Sequence, residues 1–125
     1  MRVQRLAWLG VRAAEFEEMV RFLRDVMGLR VEFAHDSTTE LTLPNDDRVQ
    51  VFGPGHNYYD FFGEHAVGPV APFEIDDVHE AEPELTALGV QMVGSIEADD
   101  VWEWLHFKAP DGNLYAVASR RVATG

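Results

Sequence analysis

The stretch "APDGNLYAVAS", residues 109–119, decides the reading of this chain. Its first half is a turn: Pro110 presets φ, and Asp111 and Gly112 can follow at little steric cost. Its second half reads as a buried strand that ends in small residues. An earlier stretch, "LPNDDRVQVF" (43–52), has the same form. Pro44-Asn45-Asp46-Asp47 answers Pro110-Asp111-Gly112-Asn113, and Arg48-Val49-Gln50-Val51 answers Leu114-Tyr115-Ala116-Val117. Gly28 of "VMGLRV" likewise answers Gly89 of "ALGVQM". A repeat with a period near half the chain means duplicated modules, not a solenoid.

The elements around these stretches repeat too. Residues 3–12 alternate loosely as a strand. "AAEFEEMVRFLRDVMG" sets Phe16, Met19, Val20, Leu23 and Val26 at helical spacing, with acidic residues early and Gly28 as a stop. Strands follow at 29–36, 38–44 and 48–53, with "NDD" as a turn. Residues 54–68, "PGHNYYDFFGEHAVG", break the pattern and read as an aromatic loop. The order then restarts with a strand at 69–75, its prolines at an edge or bulge. A helix runs from an Asp76 or Asp77 N-cap to Gly89, its regular part beginning or distorting at Pro83. Strands close the chain at 90–96, 101–109 and 113–119, the first two joined by a mobile acidic turn, "EADD". The expectation is an α+β fold, a single domain of two tandem βαβββ modules. Module one spans 1–53, a linker 54–68, module two 69–120 and a tail 121–125.

Composition bounds the function. A chain of 125 residues that is 46% hydrophobic suits one domain with a real core. No apolar run approaches the roughly 18 residues that cross a bilayer, and the N-terminus lacks a signal-peptide pattern. With no cysteine, disulfides, thiolate chemistry and cysteine metal sites are excluded. A formal net charge of −12 argues against nucleic acid and anionic membrane surfaces as partners. A cytoplasmic protein is expected.

The order of elements, with "DVMGLRV", "FEIDDV", "ALGV" and "APDGNLY", resembles the vicinal oxygen chelate superfamily over essentially the whole chain. That group includes glyoxalase I, extradiol dioxygenases, methylmalonyl-CoA epimerase and the bleomycin and fosfomycin resistance proteins. The resemblance implies half-barrel mixed sheets with helices outside and a ligand or metal inside the concave face. It also implies four metal-ligand positions, which fall here on Trp8, Gln50, Val70 and Ala116. None is a histidine or a carboxylate, and Gln50 alone offers a side-chain oxygen. Zinc and iron sites need about three or four His, carboxylate or thiolate ligands. No metal and no other cofactor is expected.

Strand alternation gives the concave face. In module one it holds Leu6, Trp8, Gly10 and Arg12, then Arg48, Gln50 and Phe52. In module two it holds Pro72 and Glu74, then Trp102, Trp104, His106 and Lys108, then Leu114, Ala116 and Ala118, with Leu105 and Phe107 in the core. An aromatic face with Arg12, Gln50, Glu74 and His106 has the composition of a small-molecule site. The same tryptophans equally suit a filled core. His106 and Glu74 are the candidate acid–base pair. His56, Asp60, Glu64 and His65 in the linker hold metal-ligand types without fixed spacing. His35 and His79 read as surface residues. Three functions are open: a metal-independent binder of an aromatic or hydrophobic compound, a lyase- or isomerase-type enzyme using His106 and Glu74 or a relocated metal, or an interaction subunit. A homodimer is expected.

Overall fold

The structure, a computed structural model, describes residues 1–121. The expected tail lies outside the described residues beyond Arg121. In chain order the elements are β1 (Arg5–Leu6), β2 (Leu9–Arg12), α1 (Phe16–Arg21) continued by a π-helical turn (Phe22–Val26), β3 (Arg30–His35), β4 (Thr38–Thr42), β5 (Arg48–Phe52), α2 (Asn57–His65), β6 (Pro72–Glu74), α3 (Val78–Ala87), β7 (Met92–Ala98), β8 (Trp102–Lys108) and β9 (Leu114–Arg120). None of these helices is long and apolar enough to cross a membrane.

The chain divides into two compact units: unit one is Trp8–Val70, and unit two is Met1–Ala7 with the chain from Ala71 on. Unit one has the strand order β2-β5-β4-β3; unit two has β1-β6-β9-β8-β7. Leaving β1 aside, the two orders are the same, with a first strand parallel to the last strand of its own repeat. The α+β architecture of two repeated modules read from the sequence is the observed one.

The expected strand over 3–12 is cut in two. Arg5–Leu6 pairs antiparallel with β6, whereas Leu9–Arg12 pairs parallel with β5. An edge strand leaves a row of backbone groups bare, and both first strands are protected from this. β1 covers β6, and in unit one Gly10 and Val70 exchange two backbone hydrogen bonds of 2.7 and 2.9 Å. The cut changes the parity. Leu6 stands opposite Phe73, on the face that carries α3, and is 55% exposed; it does not face inward. Arg5 shares the face of Glu74 instead.

Three helices depart from expectation. α1 passes into a π-helical turn in which Met27 N–H donates to Phe22 O. The wider turn rotates the residues after it about the helix axis, so Val26 is 69% exposed and outside the core. The expected loop over 54–68 contains α2, because the imidazole of His56 acts as N-cap and its Nδ1 accepts from Tyr58 N–H. Pro83 lies inside α3 without starting or breaking it. The first turn of α3 is already satisfied, since Asp77 accepts from His79 N–H and Ser119 Oγ from Val78 N–H. Pro83 therefore forfeits one interior bond only. The helix ends as expected at Gly89, at φ +83°. Val90 N–H reaches Leu85 O and Gly89 N–H reaches Thr86 O, a Schellman closure.

In unit two, Val78, Ala81 and Leu85 of α3 pack on Ile75, Leu105 and Val117, with Val90, Met92, Ile96 and Phe107 around them. Leu105 and Phe107 are core residues, as alternation implied. The turn at 109–113 is tightly made. Asp111 accepts from Asn113 N–H and from the Tyr115 hydroxyl, both at 2.9 Å. These bonds, the Asn113 N–H first, hold the Asp111 carboxyl below its ordinary range, and the same carboxylate raises the Tyr115 hydroxyl. Its counterpart in unit one repeats the design: Asn45 Oδ1 accepts from Asp47 N–H. Asp46 there takes the left-handed conformation, φ +69°, that Gly112 takes at +83°.

Candidate functional site

The face of the unit-two sheet opposite α3 is set out by register. One row runs Arg5, Glu74, Ala118, Trp104, Glu97; the next runs Pro72, Ala116, His106, Val93. Trp102 stands opposite Arg120, whose guanidinium lies 4.6 Å from the indole centre, and Lys108 stands opposite Leu114. His106 is 4% exposed, and solvent reaches none of Leu114, Ala116 or Ala118. Trp104 and Glu74 are half-buried.

The expected pair of His106 and Glu74 does not form. The two lie on β8 and β6 with β9 between them, and their registers are offset by two residues. With strands ~4.8 Å apart and a rise of ~3.3 Å per residue, their Cα atoms are about 12 Å apart. Each has another partner. Glu74 Oε1 is 3.8 Å from Arg5 Nε, and Glu97 Oε2 is 3.8 Å from His106 Nδ1. Glu97 gets there through a bulge: β7 slips against β8 between Val93 and Glu97, with Gly94 at φ +83°. The turn expected to be mobile is in fact tied, since Asp99 accepts from Val101 and Trp102 N–H.

The corresponding face of unit one is more polar. Gly10, Gln50 and Glu40 share one row, Arg12, Phe52 and Thr38 the next, and Thr42 stands opposite Arg48. Arg12 and Phe52 are taken up by α2. The Arg12 Nε donates to Tyr59 O at 2.7 Å, and its guanidinium lies 3.8 Å from the Tyr59 ring centre. Phe52 is buried edge-on against Phe62 and beside His56 and Tyr58. The linker aromatics thus cover one end of this face. A groove of about 290 Å³ runs beside them, lined by Arg12, Phe62, Gly63 and Val67 among others. Burial holds the His56 imidazole below its ordinary pKa, in keeping with its role as an acceptor. Trp8, half-buried, precedes β2.

Neither face fits a divalent metal. Register sets Gly10 beside Gln50 and Pro72 beside Ala116, with Trp8 and Val70 two positions earlier. Of these six residues only Gln50 has a side-chain oxygen, and its amide already donates to Thr38. No group of three His, Asp or Glu able to hold a metal occurs among the described residues. The linker set forms no such group either: the His56 imidazole caps α2, and His65 lies 3.8 Å from Glu64. His79 lies on the surface, 2.6 Å from Glu103.

No family model matches the sequence, and no curated protein does. Solved structures do match. A glyoxalase/bleomycin resistance protein/dioxygenase superfamily member from Vibrio splendidus 12B01 has a TM-score of 0.70 at 16% identity, over 92% of this chain and 97% of that one. Methylmalonyl-CoA epimerase from Mycobacterium tuberculosis has 0.71 at 17%, over 96% and 90%. An extradiol ring-cleaving dioxygenase from B. fuscum has 0.73 at 15%, over 96% of this chain and 33% of that one. The chain has the vicinal oxygen chelate fold. At such identities the likeness carries the fold alone. Within that fold, sequence reasoning missed Arg5, Glu40, Thr42 and Glu97 as neighbours of the named residues. Gly94 inside a strand pattern was the available signal for Glu97.

Proposed function

We propose that this protein binds a small aromatic or hydrophobic organic molecule without a metal ion, as a glyoxalase/bleomycin resistance type binding protein. It works in the cytoplasm as a homodimer, independent of nucleic acid and membranes. One observation carries the reading: the donor set. Where the fold's metal-dependent members would place ligands, this chain has Trp8, Gln50, Val70 and Ala116, and a single neutral amide does not hold a divalent ion. The indole of Trp104 beside Ala118, with Glu74 and Glu97 in the same row, offers the apolar surface and few polar groups typical of small-molecule sites. Thermal-shift measurements with Zn²⁺, Mn²⁺ and Fe²⁺ in parallel with a panel of aromatic compounds test it. Stabilisation by an aromatic compound is expected. Stabilisation by low concentrations of a metal, with none by any organic compound, overturns it. Gel filtration with light scattering checks the dimer, which a monomer at high concentration refutes.

The His106–Glu97 contact favours a second reading, a lyase- or isomerase-type enzyme. A buried imidazole beside a partly exposed carboxylate is suited to moving a proton. In this reading Glu97, not Glu74, is the partner. Turnover that survives His106→Ala eliminates it.

A further inference from the structure

We infer that unit one holds a subsite for an N–H-bearing head group, an amide or amidinium, formed by Thr42, Gln50 and Glu40; this rests on the small-molecule reading above. Thr42 is 6% exposed, and its hydroxyl makes no hydrogen bond among the described residues. A buried hydroxyl with no partner destabilises the fold that carries it, which marks Thr42 as awaiting one. Gln50 supplies a directed acceptor on the same face, diagonal to Thr42 in the register. The Thr38 hydroxyl donates to Val51 O at 3.0 Å, so its oxygen is left to accept from Gln50 Nε2 at 3.2 Å. That relay fixes which way the Gln50 amide lies and turns its Oε1 to the other side, where it accepts no hydrogen bond among the described residues. Glu40 is the register partner of Gln50, and Thr42 follows it on the same face.

The three groups therefore present two acceptors and a hydroxyl that can donate or accept. An amide matches them by donating N–H to Gln50 and accepting from Thr42; an amidinium matches them by donating throughout. A carboxylate has no proton to give and meets the Glu40 carboxylate. Two cations flank the subsite and are engaged: Arg48 lies 3.9 Å from Glu40, and Arg30, opposite Thr42, lies 3.3 Å from Glu32.

Benzamide, benzamidine and benzoate share one shape and differ in N–H donors, so calorimetric titration with the three tests the inference. Benzamide and benzamidine should bind, and benzoate at least tenfold more weakly. Thr42→Val should raise the melting temperature of the free protein yet weaken both binders at least tenfold. Gln50→Leu, which removes the acceptor, gives a second variant with the same expected loss. Benzoate binding as well as benzamide, binding unchanged in both variants, or a melting temperature that falls in Thr42→Val overturns the subsite. So does a raised melting temperature with no probe bound, which leaves Thr42 a water partner only. An aromatic amide or amidine from the wider panel that binds Thr42→Val and Gln50→Leu as tightly as wild type refutes the subsite while sparing the binding function; stabilisation by metal alone refutes that function.

Discussion

Gly53, directly after β5, is where unit one tolerates no side chain. A Cβ built there would lie 2.6 Å from both Cβ and Cγ of Phe16 and 2.8 Å from its Cδ1. Non-bonded carbons rest ~3.5–4.0 Å apart, so Gly53→Ala requires about 1 Å of displacement. Neither side yields easily. Phe16 is the first residue of α1, and its Cβ moves only with the helix backbone. The backbone of Gly53 is held at both ends: its N–H donates to Ser37 O at 2.8 Å and its O accepts from His56 N–H at 3.1 Å. Overpacking of this kind costs about 1–3 kcal/mol. Alanine returns about 0.4–1 kcal/mol by restricting the unfolded chain. The net expectation is a loss of about 1–2 kcal/mol, or a melting temperature lower by roughly 3–10 °C in a chain of this size. Urea titration by tryptophan fluorescence and a thermal melt by circular dichroism should agree. A Gly53→Ala protein as stable as wild type would refute the argument, because it would mean α1 is free to move.

Gly63→Ala is the contrasting case: its Cβ would lie 2.9 Å from Arg12 Nε and Nη2, the flexible end of a long side chain. The helix gains about 1 kcal/mol from alanine and loses the Arg12–Tyr59 hydrogen bond, so unfolding should show a change within about 1 kcal/mol. Ser119→Ala removes the buried acceptor of Val78 N–H at the start of α3 and should lower stability by about 1–2 kcal/mol in the same urea assay. His56 and His79 should titrate on opposite sides of the ordinary value of 6.5 when followed by NMR. Burial lowers His56, so its contribution to stability is lost as pH falls through 6.5 toward its folded pKa. The Glu103 hydrogen bond raises His79, so its contribution is present below 6.5 and lost as pH rises through its folded pKa. Coincident titration midpoints would contradict both assignments.

The repeat was legible because the turns that punctuate it are local chemistry. Pro44 and Pro110, Asp46 and Gly112 act within four residues, and alternation along β8 identified Leu105 and Phe107 correctly as the core side. What stayed hidden depends on partners. A histidine N-cap lies outside the usual set of helix starters, so α2 passed for a loop. The parity of residues 3–12 could not be carried across Ala7, since β1 takes its neighbour from β6, far along the chain. Glu97 reaches His106 only through a bulge of β7, whose register is set across the sheet, not along the strand. The candidate site was therefore half legible: the faces were readable, but the neighbours on them were not.

The placement of β1 has a consequence for how the molecule comes together. Arg5 and Glu74 are register partners about 70 positions apart, so β1 leaves the ribosome before unit one and waits for the whole of it to be made. Closing that span is a loop-entropy cost borne by unit two alone. Unit one can complete its own strand pairing during the wait. No single cut of the chain separates the two units, because residues from both sides of unit one belong to unit two. A fragment starting at Ala71 would present β6 with a bare edge.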